Sequence, residues 1–213
     1  TTVRKQLAQI NNEGHKNGKL SDDDCLDMDF WDRKLIPTLK KIAPKCLGVV
    51  RGNHYRIYGN GDTNVDYISR QAGLKVLGEH RGYLNLSMHR GEKRRSIRLF
   101  ITHGSGGAPK NDMGKLKSQT ESESASIIFG GHTHDLESEV AAYRKPHEWG
   151  IGTHPRIYIR CGTLYIGGDE DYADLIDCSA LCAGFGAVKL IPTMCDGNLE
   201  IRATSELLPY NFL

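Results

Sequence analysis

Ser126 to Asp135 reads Ser-Ile-Ile-Phe-Gly-Gly-His-Thr-His-Asp, and this stretch decides the fold. Its short apolar run predicts a buried strand, and the two glycines after it allow a tight turn and a close backbone approach. His132 and His134 follow two residues apart, a spacing that puts both imidazoles on one side of an extended chain, about 6–7 Å apart. Because imidazole is the commonest metal ligand in proteins, this strand end indicates a metal site. A polar loop after a core strand is the alternative, and His-x-His alone does not separate the two.

Composition sets broad limits on the class of protein. The chain has 213 residues, of which 38% are hydrophobic and 25% charged, and its formal net charge is +2. These values are ordinary for a globular protein and by themselves neither favour nor exclude nucleic acid. No apolar run approaches the roughly 20 residues of a membrane span, so we expect no membrane contact. The six cysteines form no Cys-x-x-Cys pair, which favours a reducing compartment, and we expect a cytoplasmic protein with one domain over residues 1–213.

The first confident element is a helix that begins near Ser21. Ser21 with Asp24 resembles a capping box, and acidic residues favour the first turn of a helix. Metal binding by the aspartates is the less favoured alternative, because no apolar strand precedes them. The helix is expected to run to about residue 42, with these apolar side chains facing inward: Leu26, Phe30, Leu35, Leu39 and Ile42.

Two more strand ends carry side chains of the same kind. Residues 46–50 predict a buried strand, and Asn53 and His54 follow it. Residues 96–102 alternate apolar and polar side chains as a strand does, and His103 follows directly. In layered α/β folds, strand ends deliver side chains to one crevice. Imidazoles with an amide oxygen suit Mn, Fe or Zn better than a thiolate-loving ion.

The remaining elements are predicted from periodicity and turn residues. A helix is expected near residues 64–72, and residues 136–143 are compatible with either a helix or a strand. A basic turn over residues 90–95 is expected to join two strands as a hairpin. Strands are predicted at residues 75–77, 83–88, 156–160, 186–191 and 199–203.

Three motifs, in this chain order, resemble the last three motifs of the calcineurin-like metallophosphoesterases: Gly52-Asn53-His54, Thr102-His103-Gly104 and Gly131-His132-Thr133-His134. The resemblance covers the chain from about Val49 to its end, and the last motif is the most specific. It implies an α/β fold of two face-to-face β-sheets flanked by helices, a metallophosphatase-like four-layer sandwich. It also implies a centre of two divalent metal ions, most simply Mn, with Fe or Zn as alternatives.

The resemblance implies a role for each matched side chain. Asn53, His103 and His132 would bind one metal ion, and His134 would bind the other. His54 would be the catalytic histidine, because an imidazole can give a proton to a leaving oxygen near neutral pH. The expected activity is metal-dependent hydrolysis of phosphoester bonds, and the expected partner is a phosphoester substrate.

The chain departs from the family pattern in two places. Tyr55 stands where the family usually has an acidic residue after Asn-His. The family's first two motifs, an Asp-x-His and a Gly-Asp strand end, have no match before Asn53. Because the chain also opens with Thr1-Thr2, we expect an N-terminally incomplete chain that lacks the first strands of the fold.

Two alternative functions stay open. A nuclease that cuts DNA or RNA phosphodiesters would use an extended basic surface, and the turn with Lys93, Arg94 and Arg95 offers a start for one. A solvated turn is the simpler explanation of those charges. The second alternative is a catalytically inactive binding protein that retains the fold.

Overall fold

The computed structural model describes residues 22–53, 55–104, 112–133, 135–147, 150–162 and 184–209. The chain divides into two compact units, and the division falls between His80 and Arg81. The prediction that residues 1–213 form one domain stays a prediction.

The unit before Arg81 contains several short helices and one pair of strands. In order, its elements are α1 (Asp22–Phe30), a π-helical turn (Trp31–Leu35), α2 (Ile36–Ile42), a 3-10 turn (Ala43–Lys45), β1 (Val49–Val50), α3 (Asn64–Ala72) and β2 (Val76–Gly78). The strands β1 and β2 pair in parallel. The predicted helix over residues 64–72 is confirmed. It begins with a capping box between Thr63 and Asp66 and ends at Gly73, whose φ of 74° is left-handed.

The inward stripe predicted for the first helices is wrong for three side chains. Leu26, Phe30 and Ile42 are 67%, 53% and 52% exposed. The other two predicted core leucines are half-buried. The buried residues in α1 and α2 are Asp24 and Ile36.

A charged pair explains why Asp24 takes a buried position. Its carboxylate accepts hydrogen bonds from Arg56 Nη2 at 2.9 Å and from the backbone N–H of Gly59 at 3.0 Å. Burying a carboxylate is tolerated when a cation and an amide replace its water, and here both do. Ser21, the other member of the predicted capping box, lies outside the described residues.

The unit from Arg81 onward is dominated by strands. Its elements are β3 (Arg81–Arg90), β4 (Lys93–Thr102), α4 (Asp112–Gln119), β5 (Ile127–Gly130), β6 (Leu136–His147), β7 (Gly150–Cys161), β8 (Gly184–Cys195) and β9 (Asn198–Pro209). Five strands form one sheet in the order β3-β4-β5-β7-β6, in which β4, β5 and β7 are parallel. The strands β8 and β9 form a separate antiparallel pair. Residues 136–143, which the sequence left open between helix and strand, therefore belong to the strand β6. The predicted hairpin with the basic turn over residues 90–95 is confirmed, because β3 and β4 pair in antiparallel fashion.

The five-stranded sheet buries both of its faces. One face packs Phe100, Ile128 and Tyr158 against Met113 and Leu116 of α4. The opposite face joins a second cluster: Ile97, Leu99, Ile127, Ile157 and Ile159, against Val188, Leu190, Ile201 and Ala203 of the β8–β9 sheet. Two sheets thus lie face to face with a helix outside, which confirms the predicted α/β sandwich.

Gly186 shows how closely the two sheets approach. A Cβ built on Gly186 would lie 2.1 Å from Cγ2 of Ile159, a distance that no methyl group can occupy. The inner strand β7 is therefore covered tightly by β8.

No helix in the described part of the chain has the length and hydropathy of a membrane span.

Candidate metal centre

Two of the predicted ligands follow neighbouring strands. The parallel strands β4 and β5 end in register, with Thr102 opposite Gly130. His103 comes directly after β4, and His132 comes two residues after β5. Parallel pairing therefore brings both histidines to the carboxyl edge of the same sheet.

The two imidazoles touch at this edge. Nδ1 of His132 lies 3.1 Å from Nε2 of His103, within hydrogen-bond distance. The ring centroids are 5.0 Å apart, and the rings meet edge to face at 72°. Sequence reasoning predicted that these two side chains converge, and in the described residues they do.

A glycine allows the two strand ends to come this close. A Cβ on Gly104 would lie 3.3 Å from the carbonyl oxygen of Gly131 and 3.4 Å from Cβ of His132. Gly104 also has a left-handed φ of 83°, a backbone conformation that residues other than glycine rarely adopt. The turn at His103-Gly104 therefore depends on a residue without a side chain.

His132 itself has an unusual backbone conformation. Its φ is 75°, in the left-handed region, and the N–H of Thr133 donates to the carbonyl of Gly131 at 3.0 Å. Non-glycine residues in this region cost of order 1–3 kcal/mol and persist where their surroundings hold them. This tight turn aims the His132 ring at His103.

The separation of the two nitrogens fits two ligands of one metal ion. With metal–nitrogen bonds of about 2.0–2.1 Å, two ligands lie about 2.9 Å apart at a right angle and about 3.4 Å apart at a tetrahedral angle. The observed 3.1 Å falls between these limits. Among the residues that the structure describes, no group of three or more His, Cys, Asp or Glu side chains could hold a metal ion.

The other predicted site residues are not part of this observed pair. His54 and His134 lie outside the described residues. Asn53 is exposed in the loop after β1, in the unit before Arg81. That these three side chains complete a dinuclear centre stays a prediction.

Arg160 is a site residue that sequence reasoning missed. It lies on β7, is only 6% exposed, and its guanidinium reaches the turn that carries His132. Nε and Nη2 donate to Oγ1 of Thr133 at 3.1 and 2.5 Å, Nη1 donates to Glu137 at 3.2 Å, and Nη2 also pairs with Asp135. The sequence signal for Arg160 is its position directly after the apolar run Ile-Tyr-Ile of a predicted strand. An arginine in such a strand is buried only when it is paired, so it points to acidic partners nearby.

Cys161 lies beside Arg160 at the same edge of the sheet. Burial raises the pKa of its thiol to about 11, and a hydrogen bond with the backbone of Gly130 opposes part of that rise. The thiol of Cys161 is therefore protonated at neutral pH.

These features define a class of structure, the mixed α/β sandwich with polar side chains at the carboxyl edge of a parallel sheet. No family model matches the sequence, and neither does any curated protein. Solved structures similar to this chain are Vps29 proteins.

Three of these structures can be compared directly. A doubly substituted Vps29 from Entamoeba histolytica is 14% identical, with 80% of this chain and 88% of that chain covered and a TM-score of 0.37. Wild-type Vps29 from the same organism, complexed with Zn²⁺, is 16% identical, with 67% and 76% covered and a TM-score of 0.30. Vacuolar Protein Sorting 29 from Cryptosporidium parvum is 16% identical, with 64% and 60% covered and a TM-score of 0.26. At these values, nothing about activity or metal content passes to this chain.

Proposed function

We propose that the protein hydrolyses phosphoester bonds at a centre of two divalent metal ions, most simply Mn²⁺, with Fe or Zn as alternatives. Asn53, His103 and His132 hold one ion, and His134 holds the other. The observation that carries the proposal is the 3.1 Å separation between the imidazole nitrogens of His103 and His132. Two imidazole nitrogens at this spacing, beside glycines that admit a ligand, favour a metal site over a polar loop.

Each residue has a defined task in this proposal. Two divalent ions held by Asn53, His103, His132 and His134 would neutralise charge on the phosphoryl oxygens and supply hydroxide at neutral pH by lowering the pKa of bound water. His103 and His132 present imidazole nitrogens as ligands. His54 gives the proton that the leaving oxygen needs, a contribution of typically about 10²–10⁴ in rate.

Hydrolysis of nitrophenyl phosphates with added Mn²⁺ tests the metal site. His103→Ala and His132→Ala should each lower the rate at least about 10²-fold and lower the metal content in parallel. His89→Ala is the matched control, because His89 is exposed on β3 and outside the proposed site. Unchanged metal content in both site variants would overturn the proposal.

The role of His54 needs a pair of substrates. A nitrophenolate leaves without help near neutral pH, whereas an alkoxide needs its proton in the transition state. His54→Ala should therefore slow an alkyl phosphoester far more than a nitrophenyl one, at unchanged metal content. Equal losses on both substrates would remove the general-acid role, and lost metal would make His54 a ligand.

A catalytically inactive binding protein is the first alternative, and one observation favours it. Tyr55 stands where the family usually has an acidic residue beside the catalytic histidine. Tight uptake of metal with no turnover on monoesters and diesters would support this alternative.

A nuclease is the second alternative, and a basic groove favours it. The groove is lined by Arg95, Arg98, His154 and Arg202, and no carboxylate belongs to its described lining. Arg98, the arginine of the groove nearest to His103 in sequence, stands five residues before it, which along a strand is about 17 Å. Nucleic acid bound in the groove would have to span that distance to be cut. Binding that falls steeply with salt, and is lost in Arg95→Ala, would support the nuclease.

The cysteines bear on the redox compartment in which the protein works. The four cysteines that the structure describes are all free, and one of them, Cys25, is exposed. We therefore propose a reducing compartment, in keeping with the expected cytoplasmic location.

A further inference from the structure

We propose that Arg160 is a positioning residue: its buried guanidinium fixes the turn after β5 so that the His132 imidazole faces the metal site. This inference rests on the proposed function, because it assigns the second layer of support for the same metal centre. Side chains that orient a metal ligand typically change metal affinity about 10–100-fold when they are removed.

The guanidinium holds Thr133, the residue next to His132, by its hydroxyl. Two nitrogens of Arg160 donate to the single Oγ1 of Thr133. On its other side, the backbone N–H of Thr133 donates to Gly131. Both the side chain and the backbone of Thr133 are therefore hydrogen-bonded, and together they fix the turn in which His132 lies.

Asp135, at the far end of the turn, is held as well. Its carboxylate pairs with Arg160, and its carbonyl accepts a hydrogen bond from the N–H of Gly162 at 2.8 Å. Glu137, at the start of β6, gives the guanidinium a second carboxylate at 3.2 Å. The cation is thus neutralised by acids that belong to the turn and to the strand after it, and its burial is tolerated.

The backbone conformation of His132 explains why the turn needs the contacts with Arg160. A histidine at φ 75° is in a conformation that persists only where the surrounding contacts hold it. Strand β4 holds one side of the turn, where the N–H of Gly131 donates to the carbonyl of Thr102 at 3.0 Å. Arg160 and the end of β7 hold the other side. Without the contacts of Arg160, we expect that side of the turn to relax and His132 to lose its position opposite His103.

The same strand supplies a matched control. Arg156 is also buried on β7, four residues earlier, but it donates to backbone carbonyls of residues 120–125 before β5. Arg156→Gln and Arg160→Gln therefore remove the same chemical group from equally buried positions. Only the second change touches the turn that carries His132.

The experiment is a Co²⁺ titration of the full chain, followed by visible absorption, with folding checked by circular dichroism. We expect Arg160→Gln to weaken Co²⁺ binding about 10–100-fold. Arg156→Gln should leave the affinity within about twofold of wild type, and Arg160→Lys, which keeps the charge and one donor, should recover part of the loss. Thr133→Val, which removes only the acceptor, should weaken binding in the same direction.

The outcomes separate the two proposals. If wild type takes up no Co²⁺, both the metal centre and the role of Arg160 are overturned. If wild type binds and Arg160→Gln binds equally well, only the role of Arg160 is overturned. Equal losses in both arginine variants would also overturn it, because the effect would then be general. If Arg160→Gln does not fold, Thr133→Val decides, and an unchanged affinity in that variant overturns the inference.

Discussion

Strand β7 buries two arginines, but the two side chains are bound in different ways. Near the middle of the strand, Arg156 donates to the carbonyls of Ala125 at 2.8 Å and Thr120 at 3.1 Å, and also to Glu123. Its guanidinium carbon lies 3.5 Å from the ring centroid of Tyr143. At the carboxyl-terminal end, Arg160 bonds one hydroxyl and pairs with two carboxylates.

This difference separates a structural role from one tied to the site. Main-chain carbonyls are present whatever the side chains are, so Arg156 ties down a turn independently of its sequence. Arg160 depends on particular side chains in the turn after β5, and that turn carries His132. The middle of β7 therefore contributes mainly to stability, and its carboxyl-terminal end gives up some stability to hold polar groups in place.

The largest effect that would sharpen this comparison is expected from Arg156→Gln. The change leaves several buried carbonyls without a donor and removes the stacking on Tyr143, so we expect a loss of about 3–5 kcal/mol in the free energy of unfolding. Urea unfolding followed by circular dichroism measures it. A loss below about 1 kcal/mol would contradict this difference, because Arg156 would then not be the stabilising arginine of the two.

The next effect concerns Cys161 at the carboxyl-terminal end. Burial raises its pKa to about 11 in the folded protein, from an ordinary value of 9.0, so the unfolded chain loses the proton first. The stability due to the neutral thiol is fully present below about pH 9 and is lost as the pH rises towards 11, by at most about 2.7 kcal/mol. Cys161→Ala removes this dependence. The difference in unfolding free energy between wild type and variant should shrink between pH 8 and about pH 11, and a constant difference would contradict the burial of the thiol.

A smaller effect is expected from Tyr143→Leu. Leucine keeps the apolar bulk beside Arg156 but removes the ring face on which the guanidinium lies. We expect a loss of about 1–2 kcal/mol by urea unfolding, as for a desolvated cation–π contact. The double variant with Arg156→Gln should lose less than the sum of the two single losses, and strict additivity would show that the two side chains do not interact.

The smallest effect on stability is expected from His132→Gly. Glycine adopts a φ of 75° without strain, which offsets the lost hydrogen bond to His103 and the greater chain entropy of the unfolded state. The free energy of unfolding should stay within about 1 kcal/mol of wild type while metal uptake is lost. Asp196→Gly is the control, because Asp196 has a left-handed φ of 49° in the β8–β9 turn, away from His132 in sequence. Retained metal binding in His132→Gly would contradict the proposed ligand.

Local signals account for the parts of the fold that were predicted. The helix at residues 64–72 is confirmed because its start and end residues are close in sequence to the helix itself. The strands β3 and β4 and their hairpin turn follow from alternation and from Gly91. The glycines beside His103 and His132 likewise indicated where the chain would turn.

The misses all involve partners that are distant in sequence. The first helices bury Asp24 because Arg56, 32 residues further on, pairs with it. The buried arginines of β7 were not singled out, because Arg156 finds carbonyls 31–36 residues earlier and Arg160 finds Asp135 25 residues earlier. Hydrophobic periodicity identifies the apolar face of a helix or strand. It cannot identify a charged side chain whose burial depends on a distant partner.

The sequence alone indicated most of the strands and turns, and that His103 and His132 each follow a strand beside glycine. Those properties depend on the alternation of side chains and on backbone freedom within a few residues. Only the tertiary structure decided that β4, β5 and β7 are neighbours, that the two imidazoles meet at 3.1 Å, and that Arg160 holds the turn between β5 and β6. Strand order and buried ion pairs depend on which distant groups exclude water together, and no local window of sequence contains that information.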